Sequence, residues 1–322
     1  MRDLDTVWAE LSPWLEDKEV ERASAVRRFL ISIPIALAFA VVAGGTAALF
    51  QAPVPAIVVP AVLVAAVILW FGSSKMTALR KTVKVELNSR LAEGFGLTYR
   101  EKPPTPSRYD AMRRHGLLPN NDRRSFEDQF SGTVHGAEIE LYEAHLEERR
   151  RSKNRTYYVT VFRGACVRIR FPRTIEGVTL VTRDKGIFNA VEGWGKNLFK
   201  SKDAKLERIG LVDPTFEKKF EVYGTDQVMA RYLLTPSFME RLLELEDILK
   251  GKNVRCVFDE SLAEGTGEGE LLIAAETGNL FEPATLFTPL NTKSRVEELY
   301  KDIGLIEQIA KTLLEDATKR MD

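Results

Sequence analysis

Along this chain the pattern of apolar and polar positions changes character near residue 72. Upstream, Phe29 to Phe50 is an unbroken uncharged run, FLISIPIALAFAVVAGGTAALF, and Val54 to Phe71 is a second, VPAIVVPAVLVAAVILWF. At about 1.5 Å per residue they reach roughly 33 Å and 27 Å, which suits two crossings of a bilayer core about 30 Å thick. Only Gln51, Ala52 and Pro53 separate them. So short a break forces an antiparallel transmembrane hairpin, with Pro53 and Pro55 suited to the turn and to the first helical residues. A cleaved signal peptide fits poorly, because the leader is long and acidic and a second span follows at once.

Either side of the hairpin the period becomes helical. Leu4, Trp8, Leu11 and Leu15 predict an N-terminal helix within 1–28, broken near Ser12-Pro13. Met76, Leu79, Val83, Leu87 and Leu91 form an i, i+3/i+4 stripe, with Arg80, Lys81, Lys84 and Arg90 on the other faces. The second span should therefore continue as a basic amphipathic helix ending near Gly94. Its apolar stripe can pack on the soluble domain, lie near anionic headgroups, or do both.

Prolines 103, 104, 106 and 119 with Asn120-Asn121 make 100–125 a linker by pattern. Beyond it, partial alternation over Phe126–Glu143, the β-branched run TYYVTVFRGACVRIRF and Val178–Thr182 predict an antiparallel meander. LERIGL and FEKKFEVY read as further strands. Thr225 is a candidate cap for a following helix, and Thr235-Pro236 opens another that stops at Gly251. Val254–Phe258 and Glu270–Ala275 read as strands around the turn SLAEGTGEG, and Thr292 to Lys319 as a final amphipathic helix. The expected class is α+β: a two-helix hairpin (29–50 and 54–71, within 29–72), a juxtamembrane helix and linker (73–125), then a mostly antiparallel sheet domain with packed helices (126–322).

Charge changes the picture in two places. The totals balance, 46 basic against 46 acidic residues, so no basic footprint for nucleic acid is present. Locally, Arg22, Arg27 and Arg28 precede the first span and Lys75, Arg80, Lys81 and Lys84 follow the second. The positive-inside bias puts both termini in the cytoplasm, with Trp70 and Phe71 as inner aromatic anchors. Residues 29–71 hold no ionisable side chain, which argues against a transport path. Ala36, Ala40, Gly44 and Ala48 make a small-residue stripe, read as packing inside the hairpin or as a homodimer seam.

Two loops are candidate contacts with acidic lipid or an acidic partner. One carries Arg149, Arg150 and Arg151; the other, 193–205, interleaves Trp194 and Phe199 with Lys196 and Lys200. Each can instead be ordinary structure, a solvated hairpin tip in the first case and apolar groups folded onto the sheet in the second. Chemistry is sparse. His115, His135 and His145 show no metal spacing, Cys166 and Cys256 are isolated and read as buried thiols, and HExxH, GxSxG, GxxxxGK[ST] and CxxC are all missing. No cofactor or metal is expected. Tyr223, Asp226, Arg231 and Tyr232 cluster at a strand-to-helix junction, the place where a ligand or an unrecognised enzyme site would sit, though a structural role suits them as well.

The string LERIGLVDPTFEKKFEVYGTDQVMARYLLTPSFMERLLEL resembles the core of the bacterial family of domains of unknown function numbered 3137, and FRGACVRIRF and LFEP fit it too. The resemblance implies this architecture, often with an N-terminal hairpin, and brings no activity, cofactor or catalytic residue. With it, the expected location is the bacterial inner membrane. The expected role is a membrane-anchored binding or scaffolding module, with an enzyme or a structural subunit of a membrane complex as alternatives.

Overall fold

The computed structural model describes residues 3–50, 54–153, 155–170, 174–183, 206–249, 251–260, 269–282 and 285–318. Their elements are α1 (Leu4–Phe50), α2 (Val54–Gly94), β1 (Leu97–Arg100), α3 (Tyr109–Arg114), β2 (Arg123–Val134), β3 (Ala137–Ser152), β4 (Arg155–Arg170), β5 (Val178–Arg183), β6 (Glu207–Ile209), α4 (Pro214–Glu217), β7 (Phe220–Gly224), α5 (Gln227–Leu233), α6 (Pro236–Ile248), β8 (Lys252–Asp259), β9 (Glu270–Glu276) and α7 (Lys293–Thr318). Two compact units result, one from Arg2–Leu91 with Glu282–Tyr300, the other from Ala92–Phe281 with Lys301–Asp322.

In the helical unit, α1 and α2 are antiparallel. Trp14 meets Arg90 and, about four to five turns nearer the apolar halves, Arg28 meets Phe71, so rising numbers on one helix face falling numbers on the other. The expected break at Pro13 does not occur; α1 is continuous through Pro13 and Pro34. Proline removes the N–H that the Ala9 carbonyl would accept, and the Ser12 hydroxyl donates to that carbonyl at a long 3.5 Å. Val7, Leu11 and Leu15, buried on one face either side of the proline, hold the rod together. Leu79, Val83, Leu87 and Leu91 of α2 are buried as their spacing predicts, with Leu286, Leu290, Val296 and Leu299 completing the core of this unit.

The apolar halves behave differently. Of the most apolar windows only 11% in α1 and 6% in α2 is buried, although both are long and apolar enough to cross a membrane. The helices approach closely at Gly72, where an added Cβ would overlap the Ser32 side chain. Ala36 is buried and Ala43 half-buried, while Ala40 and Gly44 are exposed, with nothing within 4 Å of a Cβ built on Gly44. The covered face thus follows Ser32 and Ala36 rather than the full small-residue stripe.

The second unit is a nine-stranded sheet in the order β1-β2-β3-β4-β9-β8-β5-β7-β6, with every recorded pairing antiparallel. β2 and β3 join through His135 and Gly136, both at positive φ, as a two-residue turn with the twist of the strands requires. Gly164 is needed for close approach, since a Cβ there would overlap the β9 backbone at Ala275 and Glu276. On one face Phe126, Tyr142, Leu146, Phe162, Cys166 and Leu272 pack with Tyr109, Met112, Leu117 and Leu118. On the other, Phe238 of α6 meets Phe258 of β8, ring centroids 5.4 Å apart. β9 is buried along nearly its whole length, so it reads LLIAA without alternation.

The segment expected as a linker is therefore part of the core. Pro103, Pro104 and Pro106 precede α3 and Pro119 follows it, and α3, at six residues, is too short to show a period. Asp213 caps α4 by accepting from the Thr215 and Phe216 N–H groups, so Phe216 and Glu217, at the start of the FEKKFEVY segment read as strand, are helical and β7 begins at Phe220.

Candidate functional site

The α1–α2 approach creates a cleft of about 530 Å³. Ile31 and Ile35 of α1 and Val67, Ile68 and Phe71 of α2 form its walls, with Ser24, Arg27 and Arg28 at the end nearer the polar half of α1. Arg28 is fixed there, its guanidinium 4.2 Å from the centre of the Phe71 ring. The Ser32 hydroxyl is spent inside α1, donating to the Phe29 carbonyl at 2.6 Å. An apolar trough ending in two guanidiniums can hold a molecule with an apolar tail and an anionic head.

Beyond Gly72 the predicted basic row divides. Arg80 and Lys84 both pair with Glu282, at 3.0 and 2.5 Å, while Lys81 is exposed. Burial alone would raise the Glu282 carboxyl, but the hydrogen bonds and charges of Lys84 and Arg80 prevail and hold it below the ordinary Glu value. The apolar stripe of α2 is buried in protein, so the packing alternative holds for Leu79, Val83, Leu87 and Leu91, and the faces left outward are the charged ones.

In the sheet unit, Arg149, Arg150 and Arg151 sit near the tip of the β3–β4 hairpin, all exposed. β2 pairs with β3 only as far as Glu147, and β9 with β4 only over Gly164–Arg170, so beyond them Glu148–Ser152 and Arg155–Val159 form a two-stranded ribbon. Its cross-strand pairs set Arg149 against Tyr158 and Arg150 against Tyr157. The second basic loop, with Trp194, Lys196, Phe199 and Lys200, lies outside the described residues.

At the 223–232 junction the polar groups serve the fold. Asp226, not Thr225, caps α5, accepting from the Val228 and Met229 N–H groups at 2.6 and 2.8 Å. The Thr225 hydroxyl instead accepts from the Val178 N–H. Tyr223 donates to Glu221, and Arg231 reaches the Gly210 carbonyl at 3.5 Å.

A polar cluster that sequence reasoning missed lies where β8 ends and β9 begins. Asp259 and Glu270 are register partners, both buried. Arg108 and Arg168 grip Glu270 at 2.6 Å each, and His115 meets Asp259 at 2.6 Å. Burial opposes the Glu270 charge, but the bonds from Arg168 and Arg108 outweigh it and its carboxyl sits below the ordinary value. The readable signal was an acid at the inner end of two strands otherwise buried on both faces, which must find a cation. Among the described residues no group of three or more His, Cys, Asp or Glu side chains is arranged to hold a metal. Cys166 and Cys256 are buried free thiols; burial pushes Cys166 up to about 12 and Cys256 higher still, so both are inert at neutral pH.

Residues 160–314 match the family model described as protein of unknown function (DUF3137). The matched stretch is similar to that family's domain. It begins inside β4, contains the LERIGL…LLEL string and LFEP, and ends in α7; the apolar helices lie outside it. No curated protein matches the chain. Among solved structures, the crystal structure of the mycobacterial trehalose monomycolate transport factor A, TtfA, is similar at 9% identity over 71% of this chain and 96% of that one, with a TM-score of 0.33, a likeness too loose to carry an argument about this chain.

Proposed function

We propose that this chain is a membrane-anchored binding or scaffolding module of the bacterial inner membrane, with 29–50 and 54–71 as two crossings and both termini cytoplasmic. One observation carries the reading. The apolar halves of α1 and α2 leave Leu37, Val41, Val62, Leu63 and Val67 more than half exposed, whereas the polar halves of the same helices have a buried core. A helix belonging to a soluble core covers such a face; one in lipid has no reason to. Arg27, Arg28 and Lys75 bound the apolar halves on one side, which is the cytoplasmic side by the positive-inside bias. The exposed Lys81 and the Arg149–Arg151 ribbon then suit anionic lipid or an acidic partner.

The test uses the inertness of the two native thiols. Gln51→Cys in intact cells should react with a membrane-impermeant maleimide and Asp3→Cys only after lysis; the reverse pattern, or release of the protein by alkaline carbonate, would overturn the reading. The uncovered Ala40 and Gly44 favour a second role for this face, a homodimer seam within a membrane complex, which disulfide crosslinking of Ala40→Cys would reveal.

A further inference from the structure

We propose that the α1–α2 cleft is a selective site for one anionic phospholipid, its phosphate on Arg27 and Arg28 and an acyl chain along Ile31, Ile35 and Val67. This rests on the two-span reading and adds a ligand class to it. The volume, about 530 Å³, falls in the range of small-molecule sites, roughly 300–1,000 Å³. Residues 24 to 35 set its length at roughly 16 Å along α1. The occupant is amphipathic, because the charge lies at one end only: the two guanidiniums cap a trough whose walls are Ile, Val and Phe. Ile31, Ile35, Val67 and Phe71 are each about half exposed or more, so no protein side chain among the described residues fills the place of a tail. The pinned approach at Ser32 and Gly72 fixes the cleft geometry, and the stacking of Arg28 on Phe71 holds one head-group donor in position before the lipid arrives. Two guanidiniums recognise a phosphate through charge-assisted hydrogen bonds, whereas a zwitterionic head presents an ammonium to the same donors.

The experiment reconstitutes the full chain in vesicles of equal phosphatidylglycerol and phosphatidylcholine, extracts it in mild detergent and counts retained lipid by native mass spectrometry. The unmutated protein should retain phosphatidylglycerol preferentially. Arg27→Gln and Arg28→Gln should each reduce that preference about fivefold, the factor expected of one basic side chain at an anionic surface. Val67→Trp, which fills the trough and spares both arginines, should abolish retention of either lipid while helix content and insertion stay unchanged. Lys75→Gln, at the same boundary and outside the cleft, should leave the preference intact. Equal retention of the two lipids, or a loss with Lys75→Gln as large as with Arg27→Gln, would overturn the site and leave the anchor standing. Failure of the unmutated chain to insert would overturn the anchor and the lipid site together.

Discussion

The helical unit and the sheet unit treat apolar side chains in opposite ways. In the sheet unit Leu271, Leu272 and Ile273 of β9 are fully buried, flanked by strands and covered on both faces. In the helical unit, the equally apolar Leu37, Val62 and Leu63 are more than 60% exposed. The proposed anchoring accounts for the difference: water surrounds one region and a medium as apolar as the side chains surrounds the other. The boundary is sharp. Within α1 the exposed stretch gives way to a buried face below Ala25, and within α2 above Leu79.

The contrast can be broken most forcefully in the two cores. Phe258→Ala, which empties a packed position against Phe238, should cost about 3–5 kcal/mol in denaturant unfolding, whereas Leu63→Ala should change stability by less than ~0.5 kcal/mol. A large effect at Leu63 would mean that its face is covered by protein. Next come the two anchored acids. Glu270→Ala leaves the Arg108 and Arg168 guanidiniums without their buried partner and should cost about 3 kcal/mol. Glu282→Ala, at a carboxylate whose side chain is 26% exposed, should cost about 1 kcal/mol.

Acid should sharpen the same pair. Both carboxyls hold protons more weakly folded than unfolded, so unfolding takes up protons. Their contribution is fully present above the ordinary Glu value of 4.5 and is lost as pH falls through it toward the depressed folded values. Thermal midpoints measured from pH 7 down to pH 3 should fall through that window, and Glu270→Gln should flatten the profile.

Smaller effects follow. Gly72→Ala should cost about 1–3 kcal/mol by pushing α2 away from Ser32, seen as weaker crosslinking between cysteines on the two helices. Asp226→Ala should cost about 1 kcal/mol as a lost cap, while Asp226→Asn, which still accepts from Val228 and Met229, should stay within ~0.5 kcal/mol.

Much of this architecture was legible because period and length are local signals. The run 29–71 announced its two helices, the 76–91 stripe predicted the buried face of α2, and Thr235-Pro236 marked the start of α6 as its cap geometry confirms. What stayed hidden depends on partners distant in sequence. Tyr109, Met112, Leu117 and Leu118 enter the core through a six-residue helix that proline-rich surroundings disguise. The insertion of β9 between β4 and β8 is a matter of register, which no single strand encodes. Thr225 and Asp226 are both acceptable caps by type, and only the Val178 N–H decides which hydroxyl or carboxylate is free for the helix. The cleft was invisible for a similar reason: Arg27 and Arg28 read as topology signals, and their relation to Val67 and Phe71 depends on how closely Gly72 lets two helices approach.

The unbroken course of α1 has a mechanical side. A helix continuous from Leu4 to Phe50 turns as one body, and the 25 residues from Leu4 to Arg28 extend about 37 Å beyond its uncharged run. Helices answer a thicker or thinner bilayer by leaning. For a rod of this length, a lean of 10° carries the far end sideways by about 6 Å, more than a full turn of helical pitch. With the run seated in a bilayer as proposed, bilayer thickness would be converted into displacement in water, by a lever whose stiffness comes from Val7, Leu11 and Leu15 gripping either side of Pro13.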